Sequence, residues 1–416
     1  MNAPNDQSMS EKKKLVVIGN GMAGMRTVEE LLALDDTLYD ITVFGAEPHG
    51  NYNRIMLSPV LAGEKTLDDI MINTPQWYAA HGITLHAGNP VMRIDRGCRE
   101  VVAASGLRVP YDRLLLATGS DPFIIPVPGH DLPGVISFRD IQDVNTMLEA
   151  ARTQQRAVVI GGGLLGLEAA NGLLKQGMDV TVVHLMDSLM ERQLDKPAAG
   201  LLQQALKDRG IRFCMQAQTE AILGDARVSG IRFKDGQELP ADLIVMAVGI
   251  RPNIQLAKDS GLHCERGIVV NDAMQTFDPT IYAVGECVQH RQAIYGLVAP
   301  LWEQAKVCAN HLAQMGIGHY PGSQVSTRLK VTGIDLFSAG DFIADEGDEE
   351  IEFRDLRRGV YKKLVLRHGR IAGAVLYGDV SDGSWYYELM IDGVDVTDLR
   401  DVLIFGKAFV GAEAAA

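Results

Sequence analysis

Two stretches of this chain repeat one arrangement, a short apolar strand, a glycine-rich turn and a helix, and that repetition constrains the fold more than any other feature. Leu15-Val16-Val17-Ile18 is apolar throughout, as befits a strand buried on both faces. It leads into Gly19-Asn20-Gly21-Met22-Ala23-Gly24 and a helical pattern over 25–34. Ala157-Val158-Val159-Ile160 leads likewise into Gly161-Gly162-Gly163-Leu164-Leu165-Gly166, a helix over 167–176 ended by Gly177, and a further strand at 180–183. Strand, G-x-G-x-x-G and helix in that order form a dinucleotide-binding fingerprint. Its first glycine permits the tight turn, and its second lets the backbone approach a pyrophosphate. Its third lets the helix pack on the strand, and the helix N-terminus faces the phosphates. Gly161 follows Gly19 by 142 residues, so the chain is expected to hold two dinucleotides on an α/β framework.

A carboxylate near the end of the second strand commonly binds the adenosine ribose. In the first unit Glu47, 28 residues after Gly19, follows the strand 41–44; the alternative reading is an ordinary loop glutamate. In the second unit His184 stands at that place, and the nearest downstream arginine is Arg192. With no arginine immediately beside it, NADH is favoured over NADPH.

Composition narrows the function classes. Hydrophobic residues make up 47% and charged residues 22% of the 416, the ordinary soluble range. No apolar run approaches the roughly 18 residues of a membrane helix, and the polar start through Lys14 does not resemble a signal peptide. A cytoplasmic protein is expected. A net charge of −14 opposes broad nucleic-acid binding, and Lys12-Lys13-Lys14 reads as a solvated strand entry. Cys98, Cys214, Cys264, Cys287 and Cys308 lie far apart in sequence, unlike the close pairs of zinc, iron–sulfur or dithiol sites. Most are expected to be small buried hydrophobes. His49, His130 and His290 show no ligand spacing either, so no metal is assigned.

Further motifs carry a resemblance. Leu114-Leu115-Leu116-Ala117-Thr118-Gly119 is echoed by Ile244-Val245-Met246-Ala247-Val248-Gly249, and Thr280-Ile281-Tyr282-Ala283-Val284-Gly285-Glu286 follows. Together they resemble the two-dinucleotide-binding flavoproteins, which include glutathione reductase, rubredoxin reductase and ferredoxin reductases. A narrower set resembles the N-terminal half of the NAD(P)H-dependent nitrite reductase large subunit: Asn51-Tyr52-Asn53-Arg54, 57–64, Val183-His184-Leu185-Met186, 190–195, 295–305, Leu329-Lys330-Val331-Thr332-Gly333 and 336–341. The resemblance implies FAD on the first fingerprint, NADH or NADPH on the second, and hydride transfer between them. The candidate cofactor-binding residues are then Gly19, Gly21, Met22, Ala23, Gly24, Glu47, Asn53, Arg54, Val91, Thr118, Gly119, Gly161, Gly163, Leu164, Leu165, Gly166, His184, Gly249, Gly285, Glu286 and Trp302. Glu286 stands where the family usually has the aspartate that binds the ribityl chain.

Glu168, Arg54 and Trp302 are the catalytic candidates. Related reductases pair a glutamate at the Glu168 position with a lysine, but Pro59 stands in the lysine's place. Glu168 is left neutral, water-bound or paired with Arg54, or simply capping its helix. Trp302, near the start of a helix at Ala299-Pro300-Leu301, covers the flavin or belongs to the core.

The expected architecture is two Rossmann-like domains, FAD-binding at 14–120 and 245–320 with the NAD(P)H-binding domain inserted at 121–244, plus a small α+β C-terminal interface domain at 321–416. The proline-rich stretch 122–133 reads as the crossing linker. The runs 361–366 and 371–377, flanking Arg367-His368-Gly369-Arg370, suggest a hairpin. That domain is expected beside the flavin or in a homodimer interface. The seven acidic residues of 344–355 form either a solvated loop or a docking site for a basic partner.

Full-length nitrite reductase large subunits continue into a [2Fe–2S] segment and a siroheme domain, whereas this chain stops at Ala416. The expectation is an electron-input component serving a separate siroheme or iron–sulfur acceptor protein. The rivals are a rubredoxin or ferredoxin reductase outside nitrogen assimilation, and a redox-sensing flavin scaffold resembling apoptosis-inducing factor.

Overall fold

The computed structural model describes residues 12–323, 326–331 and 333–413; the polar start through Glu11 and Thr332 of the 329–333 motif lie outside them. The chain makes two compact units. Met1–Ile55, Leu67–Asp121 and Ile250–Ser323 form the first, and Met56–Thr66, Pro122–Gly249 and Gln324–Ala416 the second.

In the first unit a five-stranded parallel sheet runs in the spatial order Thr84–His86, Tyr39–Phe44, Lys13–Ile18, Arg113–Leu116, Ile281–Ala283. The fingerprint strand is central, which is why Leu15, Val16 and Val17 are all buried. In the second unit the order is Arg212–Cys214, Asp179–Val183, Arg156–Ile160, Leu243–Met246, Val135–Ser137, again all parallel. Each unit also carries a three-stranded antiparallel meander before its fourth strand, Val91–Asp95, Glu100–Ala103 and Arg108–Pro110 in one. In the other it is Thr219–Gly224, Val228–Phe233 and Glu238–Pro240.

The echo between the units therefore extends beyond the glycines. After each meander an aspartate ties down the start of the fingerprint strand. Asp112 accepts the Lys14 N–H at 2.7 Å, and Asp242 accepts the Arg156 N–H at 2.9 Å together with its guanidinium. That pairing holds the Asp242 carboxyl down at about 2.

Both fingerprint helices begin earlier than the apolar pattern suggests, Met22–Leu34 and Leu164–Lys175, because each is entered directly from the second fingerprint glycine in extended conformation. The second ends as expected at Gly177, whose φ of +89° is the left-handed stop that glycine adopts freely.

Two groupings depart from the sequence-based layout. The short helix Leu57–Leu61 belongs to the second unit because Leu61 packs into the gap left by Gly172; a Cβ there would lie 2.6 Å from Leu61 Cγ. The C-terminal segment also belongs to the second unit, where the buried Tyr361 hydroxyl donates to Asp195 Oδ2 at 2.6 Å.

The C-terminal segment forms a five-stranded antiparallel sheet in the order Ser326–Val331, Ile334–Gly340, Arg370–Tyr377, Val360–Arg367, Glu349–Asp355. The helix Gly383–Ile391 packs on it. The hairpin at 367–370 is present, its two central residues His368 and Gly369 both at positive φ, 52° and 71°. That is the twist a two-residue hairpin loop needs.

The acidic stretch is a solvated loop only in its first part, 344–348. Glu349–Asp355 is a strand whose Ile351 and Phe353 pack against the core. Asp345 and Asp348 bind Arg367, Glu349 binds Arg400, Glu350 binds Lys363 and Glu352 binds Arg354.

Candidate functional site

The two fingerprints are built alike. Gly19 donates its N–H to Phe44 O at 2.8 Å and Gly161 to Val183 O at 2.9 Å, tying each turn to the end of the neighbouring strand. A Cβ on Gly19 would sit 2.1 Å from Ala117 O, and one on Gly161 2.2 Å from Ala247 O. The Ala-x-Gly strand ends at 117–119 and 247–249 thus form the floor on which each turn lies. Gly24 and Gly166 are needed for the same close packing, since a Cβ would come within 2.8 Å of Gly19 O and 2.1 Å of Gly161 O.

Gly21 and Gly163 differ from these. A Cβ on either meets nothing within 4 Å, so open space lies before the first helical turn. The first intrahelical bonds are Met25 N–H to Gly21 O and Leu167 N–H to Gly163 O. The preceding amides, those of Met22, Ala23 and Gly24 and of Leu164, Leu165 and Gly166, are left for an anion. Open room beside free amides at a positive helix end suits a pyrophosphate, so both cradles fit the dinucleotides that the sequence implies.

Around the first cradle, Glu47 is no idle loop residue. Its Oε1 accepts from Arg54 Nη2 at 2.6 Å and its Oε2 from the Tyr52 hydroxyl at 2.7 Å, and the Arg54 guanidinium lies 5.1 Å from the centre of the Tyr52 ring. Asn53 donates its N–H to Ile70 O and accepts from Ile55 N–H. Val91 is buried at the start of the meander. Thr118 Oγ1 donates to Asn253 O at 2.6 Å, and Gly119 O accepts the Asn253 N–H at 2.9 Å.

Glu286 Oε2 accepts from Ser120 Oγ at 2.7 Å, and Gly285 donates its N–H to the buried Gln304 side chain. Trp302 is not core: it is 42% exposed near the start of the helix Val298–Leu312, with the Arg26 guanidinium 5.3 Å from its ring centre. Arg26 is also paired with Glu30.

In the second unit Glu168 is mostly buried and accepts from Ser58 Oγ at 2.5 Å. Burial pushes its carboxyl up from the usual 4.5 to about 6, against the downward pull of the Ser58 hydroxyl. Ser58 immediately precedes the proline that stands where related reductases have lysine, and the sequence reading passed over it. His184 is buried at the strand end; its Nδ1 accepts the Gly162 N–H at 3.0 Å and its Nε2 lies 3.2 Å from Glu191 Oε2. Gly249 has a φ of +118° and accepts the Phe123 N–H. The cysteines are less uniform than expected: Cys287 and Cys308 are buried, Cys214 and Cys264 partly so, and Cys98 is exposed.

Comparison with known proteins adds an independent line. Residues 13–346 match the pyridine nucleotide-disulphide oxidoreductase family, and 326–394 match the rubredoxin NAD+ reductase C-terminal domain. The chain is 52% identical over 393 residues to a Bacillus subtilis nitrite reductase [NAD(P)H], covering 94% of this chain and 49% of the relative. It is 46% identical to the Bacillus subtilis assimilatory nitrate reductase electron transfer subunit, covering 95% and 51%. It thus spans about half the length of these curated relatives. Among solved structures it resembles putidaredoxin reductase in its covalent complex with putidaredoxin, with a TM-score of 0.82, 27% identity and 92% and 94% of the two chains covered. The NADH:rubredoxin oxidoreductase of Clostridium acetobutylicum gives a TM-score of 0.78, 25% identity and 93% and 97% coverage.

Proposed function

Because the chain belongs to the pyridine nucleotide-disulphide oxidoreductase family, we propose that it is an FAD-dependent NAD(P)H oxidoreductase. In this reading it is the cytoplasmic electron-input component of a nitrite or nitrate assimilation system and delivers reducing equivalents to a separate protein acceptor. The observation that carries the reading is the pair of matched cradles in a chain 52% identical to a nitrite reductase [NAD(P)H] and 46% identical to an assimilatory nitrate reductase electron transfer subunit. The first unit holds FAD and the second NADH.

Bound FAD supplies a ring that accepts hydride from a nicotinamide and can release electrons singly. The chain's own groups position and tune. The first-turn amides at 22–24 and 164–166 bind pyrophosphates. Glu47, fixed by Arg54 and Tyr52, presents a carboxylate to the adenosine ribose of FAD, and Glu286, held by Ser120, meets the ribityl hydroxyls. Glu168 keeps a proton at its carboxyl up to about pH 6, with Ser58 replacing the cationic partner of related reductases.

Anaerobic titration of the FAD-loaded protein with NADH, and separately with NADPH, tests this reading. Bleaching of the flavin absorption band by NADH is expected, and failure of both coenzymes to bleach it would sink the proposal. A second reading takes the acceptor to be a small iron–sulfur protein outside nitrogen assimilation. It is favoured by the match of 326–394 to the rubredoxin NAD+ reductase domain. Turnover with rubredoxin or a ferredoxin against turnover with a siroheme protein separates the two.

A further inference from the structure

The strand-end position that commonly carries a ribose-binding carboxylate is His184 in the second unit, and a histidine there lacks the negative charge that rejects a 2′-phosphate. The structure supplies a carboxylate seven residues further on. Gly162 N–H can only donate, so His184 Nδ1 accepts and the ring proton sits on Nε2, directed at Glu191 Oε2, 3.2 Å away. The loop between them is folded back on the fingerprint. Met190 is buried with a φ of +51°, uncommon for a side-chain-bearing residue, and its N–H donates to Gly162 O at 3.0 Å.

Both backbone polar groups of Gly162 are thus spent on holding this loop. Gly162 itself must be glycine, because a Cβ would lie 2.7 Å from the His184 ring. Glu191 keeps 35% of its side chain exposed, and its second oxygen, Oε1, has no partner among the described residues. Leu185 and Met186, which follow His184 directly, are 59% and 45% exposed and offer apolar surface of the kind an adenine ring covers. The nearby Asp187 is taken by Lys196 at 2.7 Å.

We propose that Glu191, positioned by His184, is the residue with which the second unit selects a dinucleotide bearing a free adenosine ribose over its 2′-phosphorylated counterpart. This rests on the reading of that unit as the nicotinamide coenzyme site. The free carboxylate oxygen accepts from a ribose hydroxyl, whereas a 2′-phosphate brings about −1.5 to −2 charge and only acceptors against it. Arg192, the adjacent cation, is the competing determinant.

Isothermal calorimetry of NAD+ and of NADP+ binding to the FAD-loaded protein decides the matter without relying on turnover. The wild type is expected to bind NAD+ more tightly by at least about tenfold, the equivalent of 1.4 kcal/mol. Glu191→Gln, which keeps shape and volume, is expected to narrow that ratio by about tenfold, mainly by tightening NADP+. Asp187→Asn removes the same charge four residues away and is expected to leave the ratio unchanged. An unchanged ratio in Glu191→Gln, an equal narrowing in Asp187→Asn, or a wild type that prefers NADP+ would each overturn the assignment of Glu191. Binding of neither dinucleotide by the wild type would instead remove the coenzyme-site reading on which it rests, and the inference with it.

Discussion

At the scale of single residues, the decisive groups are side chains whose partners lie far away in sequence. Glu168 was recognisable as a candidate from its place after Gly166, but the hydroxyl that holds it, Ser58, lies 110 residues upstream, and no spacing rule connects them. Its raised pKa has a consequence for stability. The folded state favours the neutral carboxyl, so this contribution is complete below about pH 4.5 and is lost as pH rises through about 6. Glu168→Gln, neutral at every pH, should therefore be more stable than the wild type by up to about 2 kcal/mol at pH 8 and nearly equal to it at pH 4. Urea denaturation at the two pH values checks this; an equal effect at both would show that burial does not shift the group. Glu191 was missed for a different reason, since its partner His184 is close in sequence but the turn that joins them is not legible there. It is seven residues beyond the strand end, and only the left-handed turn at Met190 returns it.

At the scale of elements, the glycines of one fingerprint separate into two kinds. Those in contact with backbone hold the strand and helix together, and the one facing open space makes room for a ligand. Gly166→Ala would force a Cβ to 2.1 Å from Gly161 O, and a loss of about 3 kcal/mol in unfolding free energy is expected from such overpacking. Gly163→Ala meets nothing and should change stability by less than about 0.5 kcal/mol while weakening NADH binding. Paired melting and binding measurements distinguish the two. Equal destabilisation by both would mean that the room before the helix is not ligand space. The acidic strand Glu349–Asp355 shows the opposite case, an element that composition concealed. Ile351 and Phe353 alternate correctly for a strand, but the charges around them read as loop until Arg367, Arg400, Lys363 and Arg354 are placed beside them.

At the scale of the whole molecule, two parallel sheets that share the order of four strands around the fingerprint, and differ in whether the fifth comes late (Ile281–Ala283) or early (Val135–Ser137) in the chain, account for the division into two units. Assignment of 56–66 and the C-terminal segment to the second unit comes from packing. The C-terminal sheet is joined to that unit through the Tyr361 hydroxyl on Asp195, the residue that also caps the helix Lys196–Asp208. Tyr361→Phe leaves that partly buried acceptor short of a donor and should cost about 1 kcal/mol in chemical denaturation. A neutral effect would mean that water replaces the hydroxyl. No helix among the described residues is long and apolar enough to cross a membrane.

The sequence by itself determined the two fingerprints, the order of strand, turn and helix in each, the hairpin at 367–370 and the family. All of these rest on local patterns, in which backbone conformation and burial are written by neighbours a few residues apart. Tertiary structure alone decided which carboxylates hold protons, which are paired and which unit each late segment joins. Those outcomes depend on contacts such as Glu168 with Ser58, Glu191 with His184 and Leu61 in the gap at Gly172, where the energy of burial and charge pairing is set by the neighbours that the folded chain places around each group rather than by any local pattern.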